Sequence, residues 1–314
     1  MQPTLLLIAV GLDLFFGDPR FLYHPVIFIG QMITTFEAQL RQRFNDLRLA
    51  GILLCLAVLL VTGGLTGGLL WLAGAVHPLL QAGVAVYLAF TTLALRQLHK
   101  ESQIVVDLVA AGELDDARRA LSSIVGRDTA HLNEEEILRA CIETVAENSS
   151  DGVIAPLFYL CLGGPILAML YKGVNTLDSM VGYKNDRFRD LGWASARLDD
   201  LLNLLPARLT GVLIVIVAFP LGLNGWSALK TMLRDARKPS SPNAGYPEAA
   251  AAGALDIGLG GPAIYFGRRM EKPTLGDSDR PITVDSYRRM VHLLYASSFL
   301  ALLIGVSLLW MLRG

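Results

Sequence analysis

The sequence predicts an all-α fold: a polytopic α-helical integral membrane protein with five to seven membrane segments, amphipathic interfacial helices and a cytoplasmic helical hairpin. Three observations predict it. First, the apolar residues fall in blocks without Asp, Glu, Lys or Arg: Leu49–Leu72, Ala73–Leu95, Gly152–Tyr171, Leu209–Leu229 and His292–Met311, each 20–24 residues long. A helix needs about 20 such residues to cross the hydrocarbon core of a bilayer. Second, 53% of the 314 residues are hydrophobic and 18% are charged, with a mean hydropathy of +0.47. An ordinary soluble domain is about 45–50% apolar and about 25% charged. Third, the polar stretches between the blocks place acids, amides and bases at helical spacing, where a plain juxtamembrane loop would carry mostly Lys and Arg. The whole chain, 1–314, reads as one membrane-embedded domain, with a soluble hairpin at about 96–151 and a polar loop at about 235–290.

Thr4–Phe16 is apolar, but no Lys or Arg precedes it and no small-residue cleavage site follows. It reads as a retained short span or half-inserted helix. Asp13 interrupts it; a carboxylate deep in a span costs about 2.5–3.5 kcal/mol, a cost that fades at the interface. Gly17–Val26, with Gly, Asp and two prolines, predicts a rigid turn. His24 is held extended before Pro25 and stands with Asp18 and Arg20 as a candidate site group. In Gln31–Arg48 the apolar Met32, Phe36, Leu40 and Phe44 recur at four-residue steps, the pattern of an interfacial helix. Thr62–Leu69 is a small-residue tract that permits close helix approach and is equally a place for a break.

From Arg96 the character turns soluble. Asp107–Val125 is amphipathic, Gly126-Arg127-Asp128 ends it, and Asn133 with Glu136 predicts a capping box on the next helix. That helix ends in Glu143 and Glu147, one turn apart on one face. Asn148–Gly152 is a polar break, and Gly163-Gly164-Pro165 interrupts the apolar run behind it. Such a break predicts a discontinuous helix or a re-entrant hairpin, tolerated only where protein or a watery cavity satisfies the backbone. Lys172, Asn175, Ser179 and Gly182 then share a helix face, with Asp178 one turn from Asn175. Lys184, Asn185 and Arg187 follow, and Asp199, Asp200, Asn203 and Arg208 line the entry to the next block. Leu223–Lys238 is amphipathic; Pro239–Glu248 is a stiff Pro/Ser/Asn/Gly loop offering Ser241, Asn243 and Glu248. Gly258–Gly267 is Gly-rich but matches no phosphate fingerprint, and 272–289 is polar and surface-like.

Positive residues mark the cytoplasmic side. They are present in 17–48 and 96–151 and absent from 73–78, which sets the two spans between them. Simple counting then puts 172–208 outside, despite Lys172, Lys184, Arg187, Arg189, Arg197 and Arg208. A re-entrant 152–171 resolves the conflict by returning every polar segment to the cytoplasm, with Pro220-Leu221-Gly222 turning the following block.

The formal net charge of −1 gives no basic field for nucleic acid. Cys55, Cys141 and Cys161 form neither a disulfide framework nor a zinc pattern. No Walker A, H-E-x-x-H or G-x-S-x-G motif occurs. Carboxylates beside amides and a few cations suit Mg²⁺ with a phosphorylated substrate: hard oxygens hold the ion and cations neutralise phosphoryl charge. A phosphotransferase, a phosphate-dependent ligase and an ion-coupled transporter all remain open on the residues alone.

Five long motifs occur in order: D-L-F-F-G-D-P-R-F-L-Y-H-P-V from Asp13; G-R-D-T with E-T-V-A-E-N-S-S-D-G-V-I-A-P-L-F-Y from Gly126 and Glu143; Y-K-G-V-N-T-L-D-S-M-V-G-Y-K-N-D-R from Tyr171; G-W-A-S-A-R-L-D-D-L-L-N-L-L-P-A-R-L-T from Gly192; and D-A-R-K-P-S-S-P-N-A-G-Y-P-E-A-A from Asp235. On these the chain resembles, over nearly its whole length, the adenosylcobinamide-phosphate synthase family of cobalamin biosynthesis. The resemblance implies an ATP-dependent amide ligation of a propionate carboxylate of adenosylcobyric acid with (R)-1-amino-2-propanol or its O-phosphate, with Mg²⁺ as cofactor and ATP as co-substrate. Activation as an acyl phosphate is the expected route. Under that reading Glu143, Glu147, Asp178, Asp199 and Lys172 are the expected catalytic groups, and Glu143, Glu147, Asp151 and Asp178 the expected Mg²⁺ ligands. Asp18, His24, Asn148, Asn175, Lys184, Asn185, Arg187, Arg208, Ser241, Asn243 and Glu248 would bind substrate or phosphate. The expected location is the bacterial or archaeal cytoplasmic membrane, multi-pass, with the site facing the cytoplasm. The expected partners are the corrinoid, the aminopropanol and the lipid bilayer, with room for association with other cobalamin-biosynthesis enzymes and for a homo-oligomer. The alternative is a corrinoid-binding membrane protein or transporter without catalysis, although the chain lacks the two related halves that transporters often show.

Overall fold

The protein is described by a computed structural model covering residues 1–19, 24–183, 185–265 and 267–312. Thirteen helices are present among these residues: α1 (Pro3–Phe16), α2 (Pro25–Arg43), α3 (Leu47–Val76), α4 (Pro78–Phe90), α5 (Leu95–Ala110), α6 (Leu114–Ser122), α7 (Glu134–Asn148), α8 (Ala155–Val181), α9 (Trp193–Leu202), α10 (Leu204–Ala218), α11 (Gly225–Asp235), α12 (Gly245–Leu255) and α13 (Val284–Met311). Four helical stretches are long and apolar enough to cross a membrane: Leu47–Val76, Pro78–Ala110, Glu134–Val181 and Val284–Met311. Counting the bent pair α9 and α10, which meet at 46°, as one span gives five. The all-α membrane architecture expected from the apolar blocks is therefore present. The contacts gather the chain into two compact units: 1–94 with 155–203 and 304–314, and 95–154 with 204–303.

In the first unit, α3 runs unbroken through the small-residue tract. Thr62 and Thr66 are buried, and a Cβ on Gly63 would lie 3.2 Å from Leu170 of α8. The glycines serve close packing of two helices, as small residues do in membranes where apolar burial alone does not drive association. The opposite face of α3 shows Leu60 and Trp71 at 74% and 70% exposure, an apolar surface suited to lipid. Ile29, Ile33, Leu54, Val58, Met169 and Leu177 form the core between α2, α3 and α8. Asp46 caps α3 by accepting from Arg48 and Leu49 N–H, and His77 caps α4 through Leu79 N–H. The break at Gly163 and Gly164 is a kink inside α8: Gly164 has φ +66°, open to glycine at little cost. Only these two residues leave helical geometry, and α8 resumes at Pro165.

In the second unit, the expected single amphipathic helix over 107–125 is two helices, because the chain turns at Gly112 with φ +78°. The capping box is as expected: Glu136 N–H donates to Asn133, and Asn133 N–H donates to Glu136. Asn148–Gly152 is not an open break. Ser149–Ile154 forms a π-helical segment that leads α7 straight into the next helix. The block after Leu209 ends its helix at Ala218, and Gly222, with φ +69°, turns the chain into α11. From Ala249 to Ala254 α12 is all Ala and Gly, and this stretch is buried. Small side chains are required there: a Cβ on Gly253 would lie 2.5 Å from Ser227 O of α11. The Gly-rich stretch and the polar segment after it form short antiparallel pairs, β1 (Leu259–Gly260) with β4 (Thr274–Leu275) and β2 (Ala263–Tyr265) with β3 (Arg268–Met270).

Candidate active site

The second unit collects a charged cluster on α7, α12 and the loops beside them. Glu143 is buried at 5% exposure. Its Oε1 accepts from Gly260 N–H at 2.6 Å, and its Oε2 accepts from the Arg127 guanidinium. Arg127 is brought there by the loop after α6, which is itself tied down: Asp128 N–H donates to Ile264 O at 2.9 Å, Asp128 Oδ2 accepts from Gly267 N–H at 2.7 Å, and Thr129 Oγ1 donates to Arg118 O. Glu248, in the first turn of α12, keeps partial solvent access along its side chain. Its carboxyl is nevertheless pushed well above the ordinary glutamate range. Desolvation by the surrounding protein is the largest cause, followed by the charges of Glu147 and Glu143, with Lys272 and Arg127 opposing. Lys272 stacks over the Tyr265 ring at 4.7 Å. Burial disfavours the charge of Arg127, but Glu143 more than offsets it and holds the guanidinium protonated.

Three carboxylates thus face two cations, and one carboxyl holds its proton more tightly than a free glutamate. Perturbed groups of this kind concentrate at functional sites. Glu143, Glu147 and Glu248 are where the sequence places the chemistry, but their relations differ from the expectation. Glu143 is committed to Arg127 and Gly260, so it organises the cluster and is not an open metal ligand. Among the described residues no three His, Cys, Asp or Glu side chains assemble as a metal-holding group; the expected set Glu143, Glu147, Asp151 and Asp178 is not gathered in that way. Asp151 lies partly buried on the π-helical segment, and the Asn148 amide donates to Thr144 O of its own helix at 3.0 Å.

Arg208, Ser241 and Asn243 belong to the same unit. The Arg208 guanidinium stacks on Tyr246 at 4.3 Å and donates to Leu204 O at 2.7 Å and to Asn243 Oδ1 at 3.4 Å. Ser241 Oγ accepts from Asn243 and Ala244 N–H, so it shapes the loop that launches α12. Asp235 is fully buried, bound by Arg234, Lys238 and Gly276 N–H. The Arg234 hydrogen bonds, the largest of these effects, hold it well below the usual carboxylate range.

The remaining expected residues lie in the first unit. Asp199 Oδ2 accepts from Asn203 Nδ2 at 3.0 Å, Asn203 Oδ1 accepts from Tyr171 at 2.9 Å, and Asn175 also bonds Asp199. Tyr159 stacks on Tyr171 at 5.0 Å. This polar network ties α8 to α9 and holds Asp199, expected to be catalytic, and Asn175, expected to bind substrate. Lys172 and Asp178 are partly buried on α8. Arg187 pairs with buried Glu37 at 3.7 Å and lies over Phe188. Asn185 Oδ1 accepts from Phe188 N–H, which makes the turn. His24 caps α2 through Val26 N–H and sits 3.5 Å from Asp18. Lys184 and Arg20 lie outside the described residues.

Sequence reasoning missed Arg127, Lys272 and Glu37. Arg127 had a signal, its place in G-R-D-T; Lys272 had none, since its polar segment reads as surface. Glu37 was hidden on an amphipathic helix beside Arg41, with which it pairs at 2.7 Å.

The fold and this cluster define a class: a helical membrane protein with a cluster of carboxylates and cations in its second unit. The chain belongs to the family described as CobD/Cbib protein, which matches residues 6–294. It is 52% identical to the cobalamin biosynthesis protein CobD of Geobacter metallireducens over 302 residues, 96% of this chain and 95% of the relative. It is 49% identical to CobD of Pelobacter propionicus over 313 residues, 100% of this chain and 97% of the relative. It is also 46% identical to the cobalamin biosynthesis protein CbiB of Salmonella arizonae over 310 residues, 98% of this chain and 97% of the relative. No solved structure matches the chain.

Proposed function

We propose that this chain is an ATP-dependent amide ligase of cobalamin biosynthesis, joining a propionate carboxylate of adenosylcobyric acid to (R)-1-amino-2-propanol or its O-phosphate. The observation that carries the chemistry is Glu248, whose carboxyl is raised by desolvation and by Glu147 and Glu143. A base of raised pKa takes a proton from an amine better than an ordinary glutamate does. A carboxylate is a poor acyl electrophile, so the propionate is first activated as an acyl phosphate, releasing ADP. The amine then attacks the acyl carbon, the C–N bond forms, phosphate leaves, and the amine proton passes to Glu248. Arg127 and Lys272, opposing Glu248 in the cluster, supply positive charge for the transferring phosphoryl group. Glu143, fixed by Gly260 and Arg127, positions that guanidinium.

Mg²⁺ fits this donor set in one respect. Glu147 and Glu248 repel each other, and Mg²⁺ commonly takes one or two carboxylates with substrate phosphates and waters filling its other positions. Glu147 would hold it, leaving Glu248 as the base, and the ion would neutralise phosphoryl charge.

The test uses the full chain in lipid nanodiscs with adenosylcobyric acid, aminopropanol O-phosphate, Mg²⁺ and ATP. Adenosylcobinamide phosphate should form with equimolar ADP and phosphate. Corrinoid binding with no ATP-dependent product would instead favour the non-catalytic reading, for which the kinked α8 is the one structural support.

A further inference from the structure

A cleft of about 320 Å³ in the second unit opens beside the carboxylate cluster and takes no part in the proposed proton transfer. Its walls are the first turns of α7, the Gly258–Pro262 stretch, and the segment from Thr274 to Arg280. Two arginines, Arg139 and Arg280, line it together with the acidic Glu135 and Asp279. Each is held by a side-chain carboxylate: Arg139 by Glu135 at 2.8 Å and Arg280 by Asp256 at 2.9 Å. Both pairs are partly or largely exposed, with Arg280 at 72%. Such pairs are weak and exchange partners cheaply. The backbone of the Gly258–Pro262 wall is kept close by glycine. Gly260 and Gly261 have φ +79° and +87°, and a Cβ on Gly260 would lie 2.3 Å from Pro273 O. Gly261 meets nothing, so its side of the loop is left as open space. Thr274 and Ser278 also line the cleft, and Ser278 Oγ accepts from Arg280 N–H at 3.2 Å.

We infer that this cleft binds the phosphate group of a phosphorylated ligand, with Arg139 and Arg280 exchanging Glu135 and Asp256 for phosphoryl oxygens. Guanidinium favours phosphate because its fork presents two parallel N–H donors. The place is mechanistically apt: Gly260 lines the cleft and also donates its N–H to Glu143, so a ligand seated there abuts the proposed acid–base cluster. The inference rests on the ligase reading for its two candidate sources of phosphate, ATP and aminopropanol O-phosphate.

Calorimetric titration of the full chain in nanodiscs with each ligand, and with inorganic phosphate, separates the sources. Arg139→Gln and Arg280→Gln should each weaken one phosphorylated ligand by about tenfold, the usual worth of a hydrogen bond to a charged group. Arg280→Glu should weaken it further, while affinity for adenosylcobyric acid stays unchanged. Arg119→Gln, exposed on α6 and paired with Asp116, should change neither. The ligand that responds names the source. Unchanged affinity in all three cleft variants overturns the assignment. So does an equal loss of corrinoid affinity, or a wild-type protein that binds neither phosphate ester. Phosphate binding that depends on both arginines in a protein that forms no amide would leave the cleft standing and remove the ligase reading.

Discussion

Glu248 shows what one side chain gains from its neighbours. Alone on a Pro-Glu-Ala-Ala turn it reads as a first-turn acid on a helix; desolvated, and beside Glu147 and Glu143, it holds its proton well above the ordinary glutamate range. The sign of its effect on stability follows. With the folded carboxyl raised, the native protein holds a proton that the unfolded chain releases near pH 4.3, so stability falls as pH rises from there through the raised value. Glu248→Gln should remove that slope: its unfolding midpoint exceeds that of the wild type in alkaline buffer, while amide formation drops about 100-fold or more. Equal activity of the variant would take Glu248 out of the reaction. Arg127 behaves oppositely. Its side chain and that of Glu143 are 15% and 7% exposed, so Arg127→Gln strands a buried carboxylate at a cost of about 3–5 kcal/mol. Chemical denaturation of the solubilised protein reads that loss, and restoring stability with Glu143→Gln in the same chain would identify the stranded charge as its cause.

At the scale of elements, α8 carries the most irregular geometry. Gly164 sits at φ +66° and a Cβ on Gly163 would lie 2.2 Å from Leu167. Gly164→Ala should cost about 1–3 kcal/mol, because φ +66° with ψ −157° is a region essentially reserved for glycine, measured as a lower thermal midpoint in detergent; no loss would mean that the kink relaxes when substituted. The sequence announced this break through Gly-Gly-Pro, and announced the capping box of α7 through Asn133 and Glu136. It did not announce the π-helical Ser149–Ile154, because polar residues that read as a loop are equally able to sit inside a helix when their backbone groups stay bonded. Nor did it show the turn at Gly112, since the apolar spacing of α5 continues in phase into α6. The short β pairs escaped for a similar reason: two or three residues carry no alternation to detect.

For the whole molecule, the apolar blocks decide that the chain lives in a membrane, and orientation rests on the distribution of Lys and Arg. A single cysteine at exposed Asp186, in a chain otherwise free of cysteine, should react with an impermeant maleimide only when the cytoplasmic face is open. Labelling from outside intact cells would reverse the expected topology and with it the access of a cytoplasmic corrinoid to 172–208.

The sequence by itself determined the helical membrane class, the family and the stretches that hold the polar groups, because bilayer thickness and helix period act on residues near in the chain. Tertiary structure decided the partners. Glu143, Arg127, Gly260 and Glu248 are far apart in sequence, and only packing lets one take up the charge of another. It also joined Asp199 and Asn175 to Asn203 and Tyr171 in one network, partners that distance along the chain does not show. Residue type showed where charge is expensive; which neighbour offsets the expense is a property of the fold.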